Sequence, residues 1–382
     1  MVGIDLGLMA LATRRRAASF HPASLHPFGV FDASDPATLF QDSAGKTPVT
    51  SAGDPVGLML DTSQKLSRGA ELVTGDFLTG WVGANGPLTL TDGVYRIESD
   101  VAAEAQARFA VSGLEVGAYY IATWDTIDQQ GGSAYHMIGF SIGDGGGRGG
   151  FSGSGTTQVV LRATATSGEF RLGTNSGSAG DFVEFTAPSL RRLPGHHVYQ
   201  SAASARPVYQ TNGSHSYIAG DGTNRFLNLP DLPVPATHSV CIAANIKGVG
   251  GSNDALVSLD SANANYQLDA GVGGGFRGRI NGSNLGAAEI EGNADLIGPH
   301  VFTLSFDAIA QTATLRVDGA EVWQASGYNG ALDPQQTLRL LAGRGGEALN
   351  ADLYAGCFWG GANPTDIAKV EGWAATKIGT AI

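Results

Sequence analysis

Pyranose rings are recognised by flat aromatic faces laid against their apolar side and by planar amide, carboxylate or guanidinium groups that reach the hydroxyls. Side chains of these kinds gather between positions 81 and 148: Trp81, Tyr119, Trp124, Tyr135 and His136, then Arg148 inside the glycine run GDGGGRGGFSGSG (Gly143 to Gly155). Strand alternation in YYIATW puts Tyr120, Ala122 and Trp124 on one face and Tyr119, Ile121 and Thr123 on the other. One face has to form a core. The first set is assigned to it together with Trp81, which leaves Tyr119, Tyr135, His136 and Arg148 as candidate sugar contacts.

Farther along, Trp323 and Tyr328 flank the turn in DGAEVWQASGYNG, where aromatic contact with a glycan or a neighbouring subunit is expected. Asp254, Asp260, Asp269, Arg277, Arg279 and Asn281 are groups that a lectin or calcium site would draw on, or ordinary surface residues; their types leave both readings open.

Other chemistries lack their parts. The glycine run has no Gly-Lys-Ser/Thr ending and no helix pattern after it, so it does not read as a phosphate loop. It does not form a nucleophile turn either. Eight scattered histidines and two distant cysteines give no zinc spacing, although His196 and His197 are adjacent. Cys241 and Cys357 sit in apolar, strand-like contexts and are expected to be buried free thiols.

The elements that would position these residues are short strands. Among 382 residues there are 56 glycines, 15% charged and 42% hydrophobic residues, a profile of many brief elements joined by tight turns. A net charge of −12 with scattered Lys and Arg excludes general nucleic-acid binding. No run approaches the ~18 apolar residues of a membrane span, so membrane insertion is not expected. In MVGIDLGLMALATRRRAA the arginines follow the apolar stretch and Asp5 interrupts it, the reverse of a secretion signal. A chain of this kind is expected to stay in the cytoplasm unless it leaves within an assembly or after lysis.

Three regions follow. Residues 1–70 carry Pro22, Pro27, Pro36, Pro48 and Pro55, which break helices and confine strands to edges. This segment reads as an extended arm or small irregular module. Its apolar Leu39, Phe40, Val56, Leu58 and Met59 would be exposed to another subunit or packed on the next domain of the same chain. Arg14, Arg15 and Arg16 would dock an acidic protein surface or form a solvated charge run. From 71 to 193 the pattern is a β-sandwich, opened by a hairpin at Leu88 to Glu98 with Asp92-Gly93 at its turn. Residues 194–382 form a second sandwich. Within it, NPTDIAKVEGWAATKIG reads as a helix with Asn363 as cap, Pro364 at the first position and Ile367, Val370, Trp373 and Ile378 on one face. The fold class expected is all-β: two consecutive antiparallel jelly-roll sandwiches behind an irregular leader, with a short C-terminal helix.

The phrases FDASDPATLFQDSAGKTPVTSAGDPVGLMLDTS, ELVTGDFLTGW and LRLLAGRGG followed by DLYAGCFWGGANPTDIAKVEGWAATKIG resemble phage and prophage virion fibre or spike proteins, including those of gene-transfer-agent particles. The resemblance spans nearly the whole chain. It implies a galactose-binding-like, carbohydrate-binding-module-like jelly roll over 71–193 and a concanavalin A-like or laminin-G-like lectin sandwich over 194–382. It further implies a virion surface protein whose leader, with Arg14 to Arg16 and Phe40, joins it to other virion structural proteins. Two sandwiches would then bind cell-surface, capsular polysaccharide as a homo-oligomer, a trimer by analogy.

Such jelly rolls hold a structural calcium near the ELV phrase. This chain lacks the Asn before Gly75 and reads Thr186-Ala187-Pro188 where an acidic residue is usual, and no cofactor is expected. Glucanases of the concanavalin A type place acids two apart on one strand. In the second sandwich the nearest candidate is Glu289 with Glu291, without the further acid of the pattern, and no enzymatic activity is expected. The alternatives are a decoration protein that contacts only virion subunits and, third, a capsule depolymerase.

Overall fold

The computed structural model describes residues 20–64, 69–74, 81–101, 105–131, 134–139, 147–151, 154–174, 178–229, 234–248, 254–259, 266–270, 276–280, 283–284, 297–327, 338–343 and 348–382. The fold is all-β, as the sequence suggests. Four sheets, of five, six, eight and nine strands, contain only antiparallel pairings among the described residues.

The six- and five-stranded sheets enclose one core, in which Tyr95, Ile97, Phe109, Tyr120, Trp124, Phe170, Leu172 and Phe185 are buried together. The hairpin is where Asp92-Gly93 predicts it. Both turn residues have positive φ (51° and 81°), which matches the twist of a two-residue turn to that of its flanking strands.

The eight- and nine-stranded sheets enclose a second core, built on Val240, Ile242, Phe302, Leu304, Phe306, Leu338, Leu340 and Phe358. The helix Pro364–Ile378 covers the other face of the eight-stranded sheet. Asn363 accepts a hydrogen bond from the Thr365 amide at 2.8 Å, and Ile367, Val370, Trp373 and Ile378 are buried as their spacing requires. The buried Glu371 meets Arg316 at 2.9 Å, and Lys377 reaches Asp32 at 2.6 Å. Covered on both faces, the strand Asn350–Gly360 is buried from Ala351 to Trp359. Cys241 and Cys357 lie opposite each other in this sheet as buried free thiols, and burial pushes the Cys241 thiol up to about 12.

The leader departs from expectation. It neither stands apart nor packs only on the next sandwich in sequence; it completes the last one. Gly29–Asp32 pairs with Asn350–Gly360, with Val30 opposite Cys357. Leu39–Phe40 and Leu58–Met59 extend the nine-stranded sheet through Val198–Tyr199. Leu39, Phe40, Val56, Leu58 and Met59 are all buried. The prolines fit short edge elements: Pro22 and Pro36 begin 3-10 turns, while Pro48 and Pro55 form isolated bridges. Phe40, expected as a particle anchor, instead packs with Leu58, Leu60, Tyr119, Ile121, Val160 and Leu193 between the two sandwiches. Arg14, Arg15 and Arg16 lie outside the described residues.

The sandwiches are therefore nested rather than consecutive. The chain leaves the second sandwich after residue 63, builds the first, and returns beside its point of departure. There the Gly69 amide donates to the Arg192 carbonyl at 2.8 Å and Glu71 bridges Arg191. Asp61 fastens the crossing. Its fully buried carboxylate accepts hydrogen bonds from Val30 N, Ser63 N, Ser63 Oγ and His196 N at 2.8–2.9 Å. Its own amide donates to His197 Nδ1 at 2.9 Å, so His197 Nε2 carries the proton that the Leu193 carbonyl accepts at 3.2 Å.

Replacing Asp61 by Ala would orphan buried donors on the leader and on the return, and should cost roughly 2–4 kcal/mol. Urea unfolding of Asp61→Ala against the wild type measures this. Burial lowers His238 to about 4 and also lowers His197. An unfolded imidazole protonates near about 6.5. Above that pH the stabilisation from the neutral histidines is fully present; it is lost progressively as pH falls from about 6.5 toward about 4. Unfolding midpoints measured across this window should fall, and should fall less in His238→Phe.

Candidate functional site

Alternation decides which residues of the five-stranded sheet face outward. In Gln106–Ser112, Ala107, Phe109 and Val111 enter the core, which turns Arg108, Ala110 and Ser112 to the other side. In Ser167–Thr174, Phe170 and Leu172 are buried, which turns out Ser167, Glu169 and Arg171. The register sets Arg171 opposite Arg108, Glu169 opposite Ala110 and Ser167 opposite Ser112. Two guanidinium groups and a carboxylate thus share one face.

Their partners fix them. Arg171 donates from Nε to Glu169 Oε2 at 2.8 Å. Arg108 donates from Nε to Gln106 Oε1 at 2.9 Å, a neutral acceptor, so its charge is not spent on a carboxylate among the described residues. Beside Glu169 a cavity of about 490 Å³ opens, lined by Ala110, Ser112, Ala165, Ser167 and Gly168 among others. Small side chains leave room there, and carboxylate and hydroxyl groups edge it.

Three of the residues expected to contact sugar come to this sheet. Tyr135 and His136 lie on Ala134–Gly139, and Arg148 lies on the neighbouring Gly147–Phe151. Arg148 is opposite Met137, which is opposite Arg171, which is opposite Arg108, so three arginine positions fall in one lateral row. Tyr135 is in register with Gly173 and Gly150, and His136 with Leu172 and Gly149.

The remaining candidates are elsewhere. Tyr119 is a correction: it is buried, its hydroxyl donates to the Ser43 carbonyl at 3.1 Å, and its ring meets His197 edge-on at 5.0 Å. Burial raises its pKa well above the usual phenol value. The face expected to be open is closed by Phe40, Leu58 and Leu60, so Tyr119 offers no platform. Trp323, on Ala320–Ser326 at the edge of the eight-stranded sheet, is half-buried against the second core. Tyr328, Asp260, Asn281, Glu289 and Glu291 lie outside the described residues. Asp254, Asp269, Arg277 and Arg279 are on neighbouring strands, with Asp269 opposite Arg277 and Gln267 opposite Arg279.

Sequence reasoning missed Arg108, Glu169 and Arg171. The alternation in AQARFAVS and SGEFRLGT shows that each points away from the core. It does not show that strands some sixty positions apart are neighbours.

Glu71, from the ELV phrase, has a structural role. It accepts from Val73 N at 3.1 Å, Leu190 N at 2.7 Å and Ser189 Oγ at 2.5 Å, and pairs with Arg191 at 3.1 Å. Thr186 Oγ1 accepts from Asp125 N at 3.1 Å. Among the described residues no three His, Cys, Asp or Glu side chains gather as a metal would require. The outward face holds donors and acceptors for hydroxyl groups.

Fold and face together define a double β-sandwich protein with a polar, arginine-bearing sheet surface. No protein family and no curated protein matches the chain. Among solved structures it is similar to domain 4 of AbnA, a GH43 extracellular arabinanase from Geobacillus stearothermophilus in complex with arabinotriose, at 12% identity and TM-score 0.32, over 43% of this chain and 81% of that one. It is also similar to the full extracellular region of zebrafish Gpr126/Adgrg6, at 11% identity and TM-score 0.32, over 73% of this chain and 37% of that one. Trypanosoma rangeli sialidase in complex with sialic acid follows at 8% identity and TM-score 0.32, over 76% and 62%. The chain spans less than two thirds of the latter two. Similarity at this level assigns no function.

If Arg171 and Arg108 serve the face rather than the fold, Arg171→Ala and Arg108→Ala should each shift the unfolding free energy by less than about 1 kcal/mol, as part-buried surface contacts do. Urea unfolding of both variants checks this.

Proposed function

We propose that this chain is a virion surface protein, a spike or fibre of a phage or gene-transfer-agent particle, that binds cell-surface polysaccharide without cleaving it. The observation that carries the sugar-binding part is the outward face of the five-stranded sheet. Arg108, Arg171 and Glu169 share it, a cavity of about 490 Å³ adjoins it, and the strands bearing Tyr135 and Arg148 continue it. Guanidinium and carboxylate groups fixed by their own neighbours can exchange hydrogen bonds with hydroxyl groups at little entropic cost. The virion placement rests on the sequence phrases of the leader, the ELV segment and the C-terminal helix.

A single face of this kind binds weakly. Several copies on a particle convert millimolar-class sites into firm attachment, because later contacts form at high effective concentration. A symmetric trimer is the assembly proposed.

Capsular polysaccharide should retain the full chain in a pull-down or on a glycan array. Tyr135→Ala or Arg171→Ala should weaken retention by about tenfold, equivalent to about 1.4 kcal/mol. Trp323→Ala should leave it unchanged. Absence of retention on every polysaccharide, together with binding to isolated virion subunits, would replace this reading with a decoration protein. Release of reducing ends would replace it with a depolymerase.

A further inference from the structure

A second cavity, of about 270 Å³, lies where the chain returns from the first sandwich to the second. The turn from Glu115 to Tyr119, the strand ends at Arg162 and Arg192, and the crossing from Leu193 to His197 line it. Its walls are well fixed. Gly117 N donates to the Ala163 carbonyl at 2.8 Å and Ala163 N to the Ala118 carbonyl at 2.9 Å. Gly195 takes φ +135° so close to Asp61 that an added Cβ would come within 2.9 Å of its carboxylate oxygen.

Arg162 is unusual there. It is exposed at the rim, yet its guanidinium is held at two points. Nε donates to the Gly117 carbonyl at 3.1 Å, and the guanidinium carbon lies 4.9 Å from the centre of the Tyr199 ring. One support comes from each sandwich. No carboxylate pairs with Arg162 among the described residues, and with Nε occupied its two terminal nitrogens remain as a fork. Next to it Arg192 pairs with Glu115 at 2.8 Å, and both of these side chains stay largely exposed. Among the lining side chains two arginines, Arg162 and Arg192, face one carboxylate, Glu115, while the buried Asp61 carboxylate lies behind the wall at Gly195. A guanidinium held near an aromatic ring and by one hydrogen bond has already lost part of the rotational freedom that anion binding would cost it.

We infer that this junction cavity binds the carboxylate of an acidic sugar, with the terminal nitrogens of Arg162 gripping the carboxylate and the Arg192–Glu115 pair meeting ring hydroxyls. The sugar assignment rests on the polysaccharide-binding reading; the site itself is separate from the sheet face. The volume is below the ~300–1,000 Å³ of pockets for drug-sized ligands and suits a single ring. Glu115 selects against a doubly charged phosphate, which it would repel, and accepts hydroxyl donors, which a hexuronate supplies.

The test is calorimetric or NMR titration of the full chain with glucuronate and galacturonate, with the matching neutral hexoses, and with inorganic phosphate. At least one hexuronate should bind about tenfold more tightly than its neutral hexose, a difference of about 1.4 kcal/mol. Arg162→Gln and Arg162→Lys should both lose that preference, since Lys keeps the charge but not the fork. Tyr199→Leu should lose part of it, and Arg171→Ala none. Each variant's melting temperature shows whether it is folded.

A hexuronate affinity unchanged in folded Arg162→Gln, or no preference over the neutral sugar, overturns the inference. So does phosphate binding as tightly as the hexuronate. Polysaccharide retention that depends on Arg171 but shows no hexuronate preference would sink this site and leave the sheet face standing. Loss of all retention, with hexuronate still bound through Arg162, would do the opposite.

Discussion

The architecture depends on one buried carboxylate. Asp61 has no solvent contact and gathers backbone amides from the leader, from its own turn and from the return at His196, while its amide engages His197. An anion taken out of water is tolerated only when its lone pairs are filled, and here backbone and hydroxyl donors fill them without a cation among the described residues. The groups that fill them lie more than a hundred positions apart in the chain, at Val30 and His196. The arrangement can form only when the leader and the crossing are both in place, which makes the last sandwich a product of both ends of the sequence.

That constraint governs the rest. With Gly29–Asp32 paired to Asn350–Gly360, the first strand among the described residues meets the last one. Contacts of such sequence separation close large loops before they stabilise anything, so this sandwich belongs to the slow-folding, high-contact-order class. Among the described residues the first sandwich draws its strands from a continuous stretch and carries no such delay. Between them Phe40, Leu58 and Leu60 meet Tyr119, Ile121, Val160 and Leu193, so the surface that would leave Tyr119 open is used to join the two bodies.

Features that need only local chemistry were legible in the sequence. Asp92-Gly93 places two consecutive residues at positive φ and closes a hairpin. Asn363, Pro364 and the spacing of Ile367, Val370 and Trp373 define the helix. The leader was misread because two-residue strands have no measurable period and prolines dominate its composition; its pairing partners lie at Val198–Tyr199 and Asn350–Gly360. Tyr119 was misread because alternation says that two faces exist, not that a distant segment will cover the second. The sheet face was half legible: Tyr135 and Arg148 follow from residue type, while Arg108 and Arg171 become neighbours only through register.

The first sandwich hangs from its host by two lengths of chain that lie side by side, at Gly69 with Arg192 and at Glu71 with Arg191. A body whose entrance and exit touch is a cassette, which the host meets at the gap between the two ends and at the apolar contact around Tyr119. Whatever replaces it need match that gap and a patch around Tyr119, not any particular strand order. The first sandwich could be exchanged at this socket while the second stays as it is.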